Sequence, residues 1–126
     1  MPFIHIKSLP FKQAFESAST LININREFSE KNNIPEFHIH SSWEFYLPGH
    51  YAKGDQAPSE QPDNFHPVIV DLLTPDFNDN QTIAGMLSSL ADSIHRHAPV
   101  AIDRIFINHR QAHSGMIFDD GKVVSW

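Results

Sequence analysis

The sequence predicts an α+β fold in which two β-α-β units build one four-stranded sheet, with two helices on one face and a C-terminal hairpin. Three observations predict it. Strand-length apolar runs alternate with helix-period stripes. The order of elements recurs after a shift of 64 or 65 residues, which lays Pro35 on Pro99, Ala18 and Ile22 on Ile83 and Leu87, and residues 3–6 on 68–71. An Asp-Gly pair also separates two short apolar runs near the C-terminus.

Residues 3–7 (FIHIK) make a β-branched run of strand length. Ser8 is placed to cap a helix, and Pro10 to sit in its first turn, where a missing N–H costs nothing. Phe11, Phe15, Ala18 and Ile22 then recur at helical spacing, with Leu21 and Phe28 widening the stripe. That helix stops before Asn32-Asn33-Ile34-Pro35, because the residue ahead of proline avoids helical backbone. Residues 37–46 predict a second strand, with Phe37, Ile39, Trp43 and Phe45 on one side and His38, His40, Ser42 and Glu44 on the other. Residues 47–64 carry three prolines, two glycines and no apolar period, which predicts a long mobile loop at the edge of an assembly or over a site mouth.

Residues 68–73 (VIVDLL) read as a strand buried on both faces. Asn78, Asp79 or Asn80 caps a second helix with the stripe Ile83, Leu87, Leu90 and Ile94, ending near His97. Residues 102–108 (IDRIFIN) predict a fourth strand, and the tail at 114–126 a hairpin around Asp120-Gly121. The 126 residues read as a single domain whose second sheet face has no helices left to cover it. Such a face argues for oligomerisation.

Composition narrows the function classes. Cysteine is absent, which excludes thiolate metal sites and a cysteine nucleophile. A net charge of −6 gives no electrostatic footing for nucleic acid, and no apolar run is long enough for a membrane span. The first ten residues do not read as a secretory signal, so a cytoplasmic setting is expected. Nine histidines make acidic pH relevant. Two of them, His38 and His40, share a strand side with Glu44, but i to i+6 spans roughly 20 Å, too far for one metal ion. No glycine-rich phosphate loop and no nucleophile elbow appears, so neither a metal nor a cofactor is expected.

MPFIHI at the start, IPEF at 34–37, DRIFIN at 103–108 and the tail SGMIFDDGKVVSW resemble the tautomerase superfamily, which includes macrophage migration inhibitory factor and 4-oxalocrotonate tautomerase. The resemblance implies a homotrimer with active sites between subunits, and catalysis by Pro2 after removal of the initiator Met. A free α-amine in an apolar site has its pKa lowered toward neutrality, and so can shuttle a proton on a small enol or 2-keto carboxylate. Arg104, Phe106, Asn108 and Arg110 share one parity of the fourth strand, leaving Ile105 and Ile107 for the helices. The resemblance places the aromatic and Asn positions of this strand in the site, with Phe106 standing where the family has Tyr. Arg104 or Arg110 would clamp the carboxylate through a planar fork. The alternative is a trimeric binding or scaffold protein of the same fold, without catalysis.

Overall fold

In the computed structural model, which describes residues 1–63 and 65–126, the two β-α-β units meet along an antiparallel seam. The elements are β1 (Phe3–Ser8), α1 (Ser17–Asn32), β2 (His40–Phe45), β3 (Val68–Pro75), α2 (Asn80–His97), β4 (Ile105–Ala112), β5 (Ile117–Asp119) and β6 (Lys122–Val124). The sheet order is β2-β1-β3-β4. β1 runs parallel to β2 and β3 parallel to β4, while β1 and β3 are antiparallel. Among the described residues no helix is long and apolar enough to cross a membrane.

Alternation along the strands decides which face is buried. Ile4 and Ile6 of β1 lie opposite Leu72 and Val70 of β3, and all four are fully buried against Ile24, Phe28, Met86, Leu90 and Ile94 of the helices. Each such side chain contributes roughly 1.5–3 kcal/mol by leaving water. The alternate residues Phe3, His5, Lys7, Ile69, Asp71, Leu73, Phe106, Asn108 and Arg110 share the bare face. This corrects the expectation for β3: Ile69 and Leu73 are only half-buried, because no helix among the described residues covers that side.

The first helix starts later than its apolar spacing suggests. Ser8 ends β1, and Leu9 is fully buried with its N–H donated to Gln61 Oε1 at 3.1 Å. The Pro10 carbonyl accepts from the Gln61 N–H at 2.7 Å, so this segment bonds to the distant loop and not to itself. Phe11 and Phe15 pack on Trp43, with ring centroids 5.7 and 4.8 Å away. The cap is Glu16, whose carboxylate accepts from the Ala18 and Ser19 N–H groups at 3.1 and 2.7 Å. The buried stripe is Thr20, Ile24 and Phe28, which leaves Ala18 and Ile22 exposed. Asn33 ends the helix in the left-handed region (φ 53°) and donates its N–H to the Ser29 carbonyl.

α2 follows the expectation closely, capped by Asp79, which accepts from the Thr82 N–H at 2.7 Å. Both strands that follow the helices start later than expected, each behind a 3₁₀ turn. Glu36–His38 leads into β2, leaving Phe37 81% exposed, and Ile102–Arg104 leads into β4. The hairpin β5–β6 turns at Asp120 (φ 50°) and Gly121 (φ 78°), the two left-handed positions a type I′ turn needs.

The loop expected at 47–64 lies at the end of the sheet where β1 and β2 finish, opposite the end that carries Pro2; Asn64 falls outside the described residues. In its own chain it therefore does not cover the Pro2 end. It is pinned by Gln61, which donates from Nε2 to the His66 carbonyl at 2.7 Å, and both residues are buried.

The two helices are joined by a polar cluster on Glu27. Its carboxylate accepts from Ser93 Oγ and Arg96 Nη1 at 2.6 Å each, and lies 2.9 Å from His97 Nε2. Burial pushes the carboxyl up, but hydrogen bonds from Ser93, His97 and Arg96 outweigh it and hold the pKa at about 2. A carboxyl lowered in the folded state stabilises the fold above its unfolded value and loses that contribution as pH falls toward about 2. Glu27→Gln is expected to destabilise the protein at pH 7 by on the order of 1–2 kcal/mol in urea unfolding. It should also flatten the loss of stability between roughly pH 4.5 and 2; an unchanged acid profile would show that the cluster is not what titrates.

Candidate active site

Pro2 closes the first strand at the edge of a cleft of about 320 Å³. The floor and walls come from three places that the pseudo-twofold order brings together. Asn32 ends α1 and Asn33, Ile34 and Pro35 follow it, Thr74 and Pro75 end β3, Phe77 and Asn78 lead into α2, and Thr82 and Met86 belong to α2. Pro2 is buried, and its carbonyl accepts from the His40 N–H at 3.0 Å, which ties the strand start to β2. Met1 also lines the cleft. Burial lowers the Met1 α-amine below its ordinary value, and the Asp119 carboxylate on the hairpin partly opposes that.

Among the described residues no charged side chain lines this cleft. Its polar groups are amides and hydroxyls, several of them already engaged. Asn32 donates from Nδ2 to the Phe28 carbonyl at 3.0 Å and to Ser89 Oγ at 3.2 Å, and Asn78 donates to the Pro75 carbonyl at 3.1 Å. The Thr74 hydroxyl lies 2.7 Å from His109 Nε2. Beyond Phe77, the C-terminal Trp126 donates from its indole to Asp76 Oδ1 at 2.7 Å, and His113 Nδ1 lies 3.1 Å from the other carboxylate oxygen. These two contacts hold the Asp76 carboxyl below its usual range. The C-terminal tail is thereby fastened beside the cleft mouth.

The residues expected to form the site are divided between two ends of the sheet. Phe106, Asn108 and Arg110 do share the bare face, at the levels of Ile69, Asp71 and Leu73. Arg104 belongs to the 3₁₀ turn before β4, not to the strand. Arg110 stands at the level of Phe3, two strands away, with its Nε 3.8 Å from Asp71 Oδ1. Phe106 stands at the level of Lys7, roughly 13 Å farther along the strand direction. One chain therefore holds Pro2 in a cleft on the helix side and carries the fourth-strand residues on the other face. Sequence reasoning missed Thr74, Asn78, Asp76 and His109, since none stands in a motif. The one available signal was the register: Pro2 and Thr74 are both on the buried parity of their strands.

No protein-family model matches the sequence, and no curated protein matches it either. Solved structures do. A fused 4-OT asymmetric trimer superposes with a TM-score of 0.78 at 10% identity, covering 96% of this chain and 94% of that one. Pt0534 inactivated by 2-oxo-3-pentynoate gives 0.75 at 8% identity over 97% and 94% of the two chains. A macrophage migration inhibitory factor homologue from Prochlorococcus marinus gives 0.73 at 16% identity over 98% and 99%. The likeness establishes that this chain has the tautomerase-superfamily fold.

The placement of the hairpin yields an expected titration. In the chain with Met1 attached, the α-amine should titrate below about 8, and Asp119→Asn should lower it further by removing the opposing carboxylate. An amine lowered in this way is disfavoured as a cation in the fold, so stability falls as pH drops from about 8 through the folded value. NMR titration of the N-terminal residue in the two chains reads the shift; an unchanged value in the Asn variant would mean that the hairpin does not reach the N-terminus.

Proposed function

We propose that this chain is a tautomerase- or isomerase-type enzyme in which Pro2, freed by removal of Met1, acts as general base and acid on a small enol or 2-keto carboxylate. The observation that carries this reading is the burial of Pro2 at a cleft that Met1 also lines. With Met1 attached, the Pro2 nitrogen is a tertiary amide without a basic lone pair. Removing Met1 turns it into a secondary amine and empties part of the cleft in the same step. The surroundings that lower the Met1 α-amine by burial also favour a neutral amine at Pro2 near pH 7.

A neutral Pro2 nitrogen takes the proton from an enol oxygen or from the carbon beside a ketone. It then returns that proton to the other atom of the same allylic system, so that no net charge is left on the protein. The carboxylate needs a cation, and the described residues lining the cleft of one chain supply none. In a homotrimer, a second copy would supply it from Arg110 on its bare face or from Arg104 in the turn before β4, with Phe106 and Asn108 beside the carbonyl. The fused 4-OT neighbours, which are trimers, support this assembly. The second reading is a non-catalytic trimeric binding or scaffold protein, favoured by the seating of Met1 in the cleft. Retention of Met1 selects it.

Intact mass decides whether Met1 is removed. 2-Oxo-3-pentynoate, the inactivator named for Pt0534, should then alkylate the processed chain at Pro2 and stop turnover of phenylpyruvate. A chain blocked by one added N-terminal residue should neither label nor turn over, and equal turnover by the blocked chain would remove Pro2 from the chemistry. Light scattering at micromolar concentration is expected to give three times the chain mass. A monomer would leave the fourth-strand arginines without a cleft to serve.

A further inference from the structure

The register of β1 and β3 pairs Ile4 with Leu72 and Phe3 with Leu73, so one further step sets Pro2 opposite Thr74. Both fall on the buried parity, where directly opposed residues have their Cβ atoms roughly 4.5–5.5 Å apart. Thr74 is fully buried, lines the cleft, and its Oγ1 lies 2.7 Å from Nε2 of His109 on the adjacent strand. We propose that Thr74, oriented by His109, is the hydroxyl that hydrogen-bonds the substrate oxygen beside Pro2. The proposal rests on the reading of Pro2 above and adds the group that meets the oxygen at which charge develops.

The direction of the hydrogen bond carries the argument. A hydroxyl has one proton to give. If His109 carries its proton on Nε2, it donates to Thr74 Oγ1, and the Thr74 proton is left for the cleft. If Nε2 is bare, Thr74 gives its proton to the ring and has none for a substrate. His109 is lowered by burial, which keeps the ring neutral near pH 7 and so makes the tautomer the deciding variable. Asn32 and Asn78, the nearby amides, already donate within the protein, whereas Thr74 has one contact and stands directly across from Pro2. As enolisation proceeds, negative charge grows on the ketone oxygen. The Thr74 O–H donates to it without transferring its proton, while Pro2 moves the carbon proton. Thr74 would thus touch the substrate; His109 is a positioning residue.

Two measurements on the full processed chain test this. Nitrogen NMR of the histidines at neutral pH should show His109 protonated at Nε2, with its signals moved in Thr74→Val; protonation at Nδ1 alone overturns the proposal whatever Pro2 does. In phenylpyruvate enolisation, Thr74→Val should lose kcat about 10²-fold with KM little changed. Thr74→Ser should recover most of that loss. His109→Gln, which keeps an N–H donor, should retain more kcat than His109→Leu. Equal rates for the Val and Ser variants, or no loss in either, overturn the proposal. A blocked N-terminus that leaves turnover intact sinks the Pro2 reading, and the Thr74→Val ratio then decides the pair independently. A parent without turnover overturns both readings.

Discussion

The antiparallel ladder between β1 and β3 is the constraint on which the rest of this structure depends. A β-α-β unit covers one face of its two parallel strands with its helix. Joining two units through antiparallel central strands sets Ile4 against Leu72 and Ile6 against Val70, so both helices pack on the same side. A slip of one residue would turn Ile4 and Ile6 out to the bare face and His5 into the core. The same register brings Pro2 level with Thr74, so the core and the cleft follow from one alignment.

Covering only one face has a consequence for chemistry. The bare side is neither a plain apolar patch nor a solvated one. Phe3 stacks on His40 with ring centroids 4.4 Å apart, His5 Nδ1 lies 2.6 Å from Ser42 Oγ, and Asp71 faces Arg110. Around these polar pairs lie Ile69, Leu73 and Phe106. A surface of this mixture suits burial against another protein surface, since Phe3, His5 and Asp71 already have partners within the chain. Arg110 lies on this face and not among the described residues that line the cleft.

Long-range polar contacts hold the irregular parts in place. Leu9 and Pro10 are fastened by Gln61, about fifty residues away in sequence, and Trp43 donates from its indole to Ser8 Oγ at 3.0 Å. The chain ends meet near the cleft, with Trp126 bound to Asp76 and Asp119 acting on the Met1 amine. Most histidines have a specific local partner of this kind, including His97 with Glu27, His95 with the Val100 carbonyl and His113 with Asp76. In these positions histidine serves as a compact hydrogen-bonding group at element junctions.

The element order, the repeat after 64 or 65 residues, a cap for α2 within residues 78–80 and the Asp120-Gly121 turn were legible in the sequence, because each depends on neighbours within a turn or on strand parity. The bare face and the side on which Phe106, Asn108 and Arg110 lie followed from the same parity. The start of α1 was not legible. Phe11 and Phe15 have helical spacing, yet Gln61 takes the backbone groups of Leu9 and Pro10, and Trp43 takes the rings. Nor was the site complete, since Thr74, His109 and Asp76 acquire meaning only from the register and from the approach of strands distant in sequence. Local propensity and period determine which segments become strands and helices; cross-strand register, a long-range property, decides which hydroxyl faces Pro2.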